Sequence, residues 1–455
     1  MEDNLTEDWH AEAGRILRLA WPIMLTSLNW TLMHLIDVAV VGHYGTAELA
    51  ALGASRTVTF IVLVFGFAGL TGILVFAARA DGARRHAETG DIFRSGLMLA
   101  LLVGLISALG LGLFAYDLLH LFGVDPALQR PGANVVQAMA LGFPAQLLLG
   151  ASSYFLEGIS RPQRVMAINL TMLPFNGILA WAWVGGHFGL PALGAVGAAY
   201  ATATISWLGA LAMIVIVWRL PHAVERRVRD MSGPALRRAL KGVAPLAWFG
   251  LVPGLGAMLE LAGFSTLMVL STQLGNASAA AFQAMLSIHN IAFALSMGFG
   301  SAAGVRVGNA VGAGERGEAW PRAIVAAGLC VSLLAAISLL LVFAAPALVW
   351  PFSDDPEVMG LAATMLSVMG AFLVFDGLQY VFGAALRSLG EQVWAGVNGI
   401  FGFFLTTGGL GLLFVYTGWG AAGLALAAGL GMFTSALLQF GRFRYVLRRS
   451  ARSSG

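Results

Sequence analysis

Lysine occurs once in this 455-residue chain, at Lys241, and cysteine once, at Cys330. A single lysine outside any glycine-rich strand-to-helix turn excludes a P-loop, and with it the usual machinery for ATP-driven work. A single cysteine excludes an intrachain disulfide and any multi-cysteine metal site; Cys330 reads as inert filling. The eight histidines are scattered without metal-ligand spacing, and no serine has a triad-like context. Charge is scarce as well: 11% of residues are charged and 58% are hydrophobic. With a mean hydropathy of +0.81, a soluble globular protein is excluded. No enzyme and no organic cofactor are expected.

Apolar runs long enough to cross roughly 30 Å of hydrocarbon as helices recur along the chain. Twelve are expected, at 14–42, 50–78, 94–119, 132–157, 163–185, 193–219, 242–271, 280–306, 319–346, 359–386, 393–416 and 420–441. The first follows the acidic start at 1–8 and reads as a permanent span, too long for a removable signal and without a small-residue cleavage site. Arginine in short loops marks the cytoplasmic side. Arg79 to Arg94, Arg161 and Arg164, seven basic residues from Arg219 to Lys241, Arg306 to Arg322, Arg387 and five from Arg442 to Arg452 all follow even-numbered spans. The alternate loops hold only Arg130. Both termini are therefore expected in the cytoplasm, the net charge of +3 reflects topology rather than nucleic-acid binding, and Arg56 is left as the one intramembrane base.

The two halves repeat each other. Tyr44-Gly45-Thr46-Ala47 lies 230 residues before Leu274-Gly275-Asn276-Ala277, and Phe122, Asp125 and Pro126 lie 230 before Phe352, Asp355 and Pro356. Arg79, Glu88 and Gly90 lie 227 before Arg306, Glu315 and Gly317, and Gly194-Ala195 lies 226 before Gly420-Ala421. Four blocks in one order indicate a duplicated six-span unit, parallel because six is even, able to rock one half against the other around a central cavity. The expected fold is an all-α integral membrane protein with twelve transmembrane helices in two six-helix pseudo-symmetric bundles. The N-terminal lobe spans 1–220, a cytoplasmic linker 221–241, and the C-terminal lobe 242–455. The charged linker reads either as a basic helix on anionic headgroups or as a solvated connector. Pro22 and Pro245 occupy similar places in the two halves, as helix bends or as first-turn residues.

A carboxylate in mid-membrane costs about 2.5 to 3.5 kcal/mol on insertion scales, so it usually faces a cavity, a partner or an ion. Asp37, Glu260 and Asp376 are such acids. His34 precedes Asp37 by three residues, on the same helix face, where the imidazole can donate to the carboxylate. Glu260 and Asp376 belong to the same half. Close together they either hold a proton between them or offer hard oxygen ligands to a monovalent cation, with Gln379 three residues after Asp376 as a further partner and Phe372 four before it. Of the weaker polar candidates, Asn169 and Asn398 read as helix-to-helix hydrogen bonds, His289 and Asn290 are unassigned, and Asn176 and Gln283 lean towards function.

The residues LAWPIMLTSLNWTLMHLIDVAVVGHYG (19–45), AFQAMLSIHNIAFALSMGFGSAAGVRVGNAVGAGE (281–315), FSDDPEV (352–358), FDGLQYVFGAALRSLGEQ (375–392) and GLPALGAVGAAYATA (189–203) resemble the multidrug and toxic compound extrusion (MATE) family, in particular its NorM-like branch. The resemblance covers nearly the whole chain. It implies export of small cationic, amphipathic drugs in exchange for Na+ or H+, by a monomer in the bacterial inner membrane, with no cofactor beyond the coupling cation. It also implies that Asp37, together with His34, Asn176 and more loosely Thr202, forms a proton- or substrate-linked site of the N-lobe. Glu260 and Asp376 match the acids that bind the coupling cation and would be the metal ligands under Na+ coupling. Gln283, Phe372 and Gln379 would lie at the drug cavity. Two positions depart from the family. Ala180 stands where some relatives place a second acid or an asparagine, so no two-carboxylate proton site is expected in the N-lobe. Phe372 stands where sodium-coupled relatives place a tyrosine, which removes one oxygen ligand. The alternative function is a flippase for a lipid-linked precursor, ranked second because only Arg56 could meet a polyphosphate headgroup; a passive channel and a membrane enzyme rank lower.

Overall fold

The computed structural model describes the backbone of residues 2–453 and the side chains of 9–450, so the acidic start at 1–8 and Arg452 lie outside the described side chains. Among the described residues the secondary structure is helical throughout, without strands. The N-terminal half contains α1 (Glu2–Tyr44), α2 (Thr46–Gly69), α3 (Thr71–Gly82), α4 (His86–Leu121), α5 (Pro126–Ala140), α6 (Phe143–Gly158), α7 (Pro162–Gly185) and α8 (Ala195–Trp218). The second half contains α9 (Gly233–Gln273), α10 (Asn276–Gly312), α11 (Ala319–Phe343), α12 (Ala345–Val349), α13 (Pro356–Leu389), α14 (Gln392–Gly399), α15 (Gly409–Tyr416) and α16 (Gly420–Ser453), with a π-helical stretch at Ile400–Gly408 between α14 and α15. Among the described residues eleven stretches are long and apolar enough to cross a membrane. The twelfth expected span is α5 with α6, a pair bent by 47°. At that bend Gly142 packs so closely on Ala203 that a Cβ would lie 2.9 Å from its Cα.

The repeat is written into the backbone as well as the sequence, and the helix ends set its register. Asp125 and Asp355 each cap the helix that follows, accepting from Ala127 N at 2.8 Å and from Glu357 N at 2.9 Å, with Pro126 and Pro356 at the first helical position. The C-termini of α3, α6, α10 and α13 close with paired hydrogen bonds around a residue of positive φ. Arg84 (φ 55) matches Gly314 (φ 81), and Ser160 (φ 60) matches Gly390 (φ 90), each 230 residues apart. The sequence block at 227 therefore sits three residues out of the structural register. In that register Pro22 falls beside Pro253 rather than Pro245. All three prolines lie inside helices, which removes the first-turn reading.

Packing divides the chain into two compact units at places other than the repeat boundary. One unit is Leu25–Gly254; the other is Met1–Met24 with Leu255–Gly455. The two crossings, after Met24 and after Gly254, are again 230 residues apart and fall inside α1 and α9.

In the first unit, α6 is buried among α3, α4 and α8 around a core that includes Phe93, Leu147, Phe155 and Met213. The linker belongs to this unit, and its first part is a run of turns rather than a helix on headgroups. Arg226 bridges to Asp81 at 2.5 Å and to Thr89 at 3.2 Å, while Arg94 is buried against Asp91 and the carbonyl of Arg227. The Ser232 hydroxyl, and after it the Ser232 backbone N–H, holds the Asp230 carboxyl below the usual range, and α9 begins at Gly233. In the second unit α13 is the central helix, packed by α10, α11 and α16. Small residues make the close approach possible: a Cβ on Gly377 would lie 2.2 Å from Leu334 and 2.6 Å from the sulfur of the buried Cys330.

Candidate functional site

Each unit carries a buried cluster around an acid in its membrane-spanning part. In the first unit it forms where α1, α7 and α8 meet. Asp37 is 6% exposed, and both of its oxygens are occupied: Asn176 Nδ2 donates to Oδ1 at 2.8 Å, and Thr202 Oγ1 donates to Oδ2 at 2.9 Å. Two charge-accepting hydrogen bonds from neighbouring helices are what a carboxylate needs once water is removed. Ala180, one turn after Asn176 on α7, is buried and contributes no acid.

His34 does not join that cluster. Asp37 turns inward to α7 and α8, whereas His34 is exposed and takes a hydrogen bond at Nδ1 from Arg56 on α2, whose Nη2 also lies 3.5 Å from the His34 carbonyl. A guanidinium can only donate, so the imidazole accepts at Nδ1 and carries its hydrogen on Nε2. The expected His34–Asp37 bond is replaced by two separate pairings because residues three apart share a face only broadly, and each is taken by a different neighbouring helix.

The second cluster lies where α9, α10 and α13 come together. Asp376 is 1% exposed, Gln379 and His289 are also buried, and Glu260 on α9 is partly buried. Gln379 Nε2 reaches Asp376 Oδ1 at 3.4 Å, and His289 Nε2 lies 3.5 Å from Asp376 Oδ2. Glu260 lies within electrostatic reach of Asp376 and of Arg387. The cluster is under-satisfied: Asp376 Oδ2 and both ring nitrogens of His289 are buried without a hydrogen-bond partner. His289 is held by rings rather than by polar groups, stacked at 6.0 Å from Phe264, which packs in turn on Phe403 of the π-helical stretch. Among the described residues no three His, Cys, Asp or Glu side chains are grouped to hold a metal ion.

The remaining candidates spread out. Gln283 is exposed on α10. Phe372 is half-buried and lies against Gly429 of α16, where a Cβ would be 2.4 Å from its ring. Asn169 bonds the Val165 carbonyl, and its own carbonyl accepts from Asn29 at 2.9 Å; Asn398 reaches Gln439 at 3.4 Å. Asn398 is a helix-to-helix tie as expected, whereas the Asn169 side chain turns back on its own helix and the tie at that point is made by Asn29 to its backbone carbonyl. His289 and Arg56 are the members that reading the residues did not assign to a site. For Arg56 the signal was present, since it is the one base inside a span.

The MatE family model matches residues 22–182 and 254–409, one stretch in each half. The chain is 30% identical over 453 residues to a protein of Rhodopseudomonas palustris named "Probable multidrug resistance protein NorM", covering 97% of this chain and 93% of that one. It is 29% identical over 442 residues to a protein of the same name from Bradyrhizobium diazoefficiens, with 95% and 93% covered. The fold matches a crystal structure of a eukaryotic MATE transporter with a TM-score of 0.86 at 19% identity, covering 98% of this chain and 99% of that one. It matches a MATE protein in a straight conformation with the same score at 21% identity, covering 97% of each. Two matched stretches, one per half, and full-length relatives place this multi-pass membrane protein in the MATE family.

Proposed function

We propose that the chain is a secondary antiporter of the bacterial inner membrane, with both termini cytoplasmic, that exports cationic amphipathic drugs in exchange for Na+ or H+. The observation that carries the coupling site is the under-satisfied cluster around Asp376. A buried carboxylate oxygen with no donor is costly, and the cost is relieved by whatever cation arrives: a proton, or a sodium ion that completes its shell with amide or water oxygens. Glu260 brings a second carboxyl within electrostatic reach of it, so the pair is suited to take up one positive charge. Coupling then follows from charge. While the acids are uncompensated their field favours a cationic drug in the protein; a bound coupling cation removes that attraction and favours drug release. The NorM names of the relatives support drugs as the cargo. A flippase for polyphosphate-linked lipids is disfavoured by a membrane interior with Arg56 as its one base.

The test is ethidium efflux from proteoliposomes under separately imposed Na+ and pH gradients. Wild type is expected to respond to at least one gradient, and Asp376→Asn to respond to neither while eluting as a monodisperse protein. Full gradient-driven efflux by Asp376→Asn would overturn the assignment of the coupling site.

A further inference from the structure

Arg130 on α5 is the one basic residue in the connections opposite the arginine-rich loops. It runs against the charge bias that orients the rest of the chain, so it needs a local reason. It is exposed, and among the described residues its guanidinium makes no ion pair and no hydrogen bond. Asn134 and Gln137 follow it on the same face of α5, and with Tyr116 of α4 these side chains line a groove of about 370 Å3. Beside the groove α4 is broken: Phe114 leaves helical geometry (φ −110, ψ 17), and Gln137 Nε2 donates to the Gly112 carbonyl at 3.1 Å. A Cβ on Gly110 or Gly112 would meet nothing within 4 Å, so these glycines leave open surface and do not serve the approach of another helix. Leu113 and Leu109, about one and two turns before Tyr116, continue the same face of α4 as exposed apolar side chains.

A guanidinium flanked by two amides and a phenol, with no acid in the lining, suits a hydrogen-bond acceptor carrying one negative charge. The leucine ridge that leads away from it suits an acyl chain. Charge and amides at one end, a tyrosine at the boundary and an apolar ridge at the other match a phospholipid lying at the membrane interface. Among phospholipid headgroups, ethanolamine and choline bring a cation for which the lining has no carboxylate. Phosphatidylglycerol brings a single negative charge and neutral hydroxyls that amides can bond. We propose that the groove between α4 and α5 binds one phosphatidylglycerol molecule, with its phosphate on Arg130, its glycerol hydroxyls at Asn134 and Gln137, and a chain along Leu113 and Leu109. The site uses none of the residues of the two acid clusters and does not depend on the drug-export reading.

Cys330 is buried, so a cysteine placed at the exposed Leu113 takes a bimane label selectively. With the labelled full-length Leu113→Cys protein in phosphatidylcholine vesicles, quenching by chain-spin-labelled phosphatidylglycerol or phosphatidylcholine compares the binding of the two lipids beside the groove. Phosphatidylglycerol is expected to bind about fivefold more tightly, and Arg130→Gln in the same background to bring the two within about twofold. Unchanged quenching by phosphatidylcholine shows that the variant is folded and inserted. Gly112→Leu, which narrows the groove and leaves the charge in place, is expected to remove the preference as well. Equal binding of the two lipids before Arg130 is replaced, or a preference that survives Arg130→Gln, overturns the proposal. So does a preference kept in full by Gly112→Leu, which would reduce it to diffuse attraction by a surface charge. sn-Glycerol 3-phosphate in large excess is expected to leave the quenching unchanged; relief of quenching by it would make the ligand a soluble phosphate ester and overturn the lipid site.

Discussion

Asp37 and Asp376 are both buried acids, yet their surroundings give them opposite dispositions. Asp37 has both oxygens hydrogen-bonded, while Asp376 keeps one oxygen bare beside two bare ring nitrogens. A satisfied carboxylate is a structural asset, and stripping one donor exposes its desolvation cost. Asn176→Leu and Thr202→Val are each expected to lower stability by about 1 to 3 kcal/mol, read as a fall in the thermal unfolding midpoint. A midpoint unchanged by both would mean that the two hydrogen bonds do not hold Asp37. At this scale the sequence showed that the three acids needed partners but not which partners. Spacing along α1 puts His34 and Asp37 on one face, and only the arrangement of α2, α7 and α8 around it decides that Arg56 claims one and Asn176 with Thr202 the other. His34 and Arg56 are 22 positions apart, so no local pattern links them. Asn176 stood out as an intramembrane amide, but its link to Asp37, and Thr202 altogether, entered through family resemblance rather than from spacing.

The helix ends carry the clearest trace of the duplication. Where the second half places Gly314 and Gly390 at positive φ, the first half places Arg84 and Ser160. An L-residue in the left-handed region costs about 1 to 2 kcal/mol, part of which glycine gives back through its freer unfolded state. Arg84→Gly and Ser160→Gly are each expected to raise stability by up to about 1 kcal/mol, measured as an upward shift in the unfolding midpoint without loss of ethidium efflux. A downward shift would show that these side chains make contacts worth more than the strain. Twelve hydrophobic runs located the spans well because their length is set by the bilayer. The break between α5 and α6, the π-helical stretch at Ile400–Gly408 and the interior position of Pro22 and Pro245 were not legible, since each depends on how closely a neighbouring helix approaches.

Across the whole molecule the chain passes between its two compact units only twice, inside α1 after Met24 and inside α9 after Gly254, each crossing within two residues of a proline. Any relative motion of the units must therefore pass through two helices that already lack a backbone hydrogen bond near the crossing. The sequence repeat has its boundary at the linker, while the compact units divide within α1 and α9, because burial follows the spatial neighbours of each segment. The exchange also has a topological consequence. A cut at the exposed Met231 would leave two pieces, each of which still donates a length of helix to the other's compact unit. Such pieces are reciprocally latched, much as in a domain-swapped dimer, and their separation requires pulling both helices out. Fragments 1–231 and 232–455 produced from separate genes in one cell are expected to co-purify through a tag on either one and to restore ethidium efflux, whereas a break at 254 leaves only the one-way donation of 1–24 to hold the pieces.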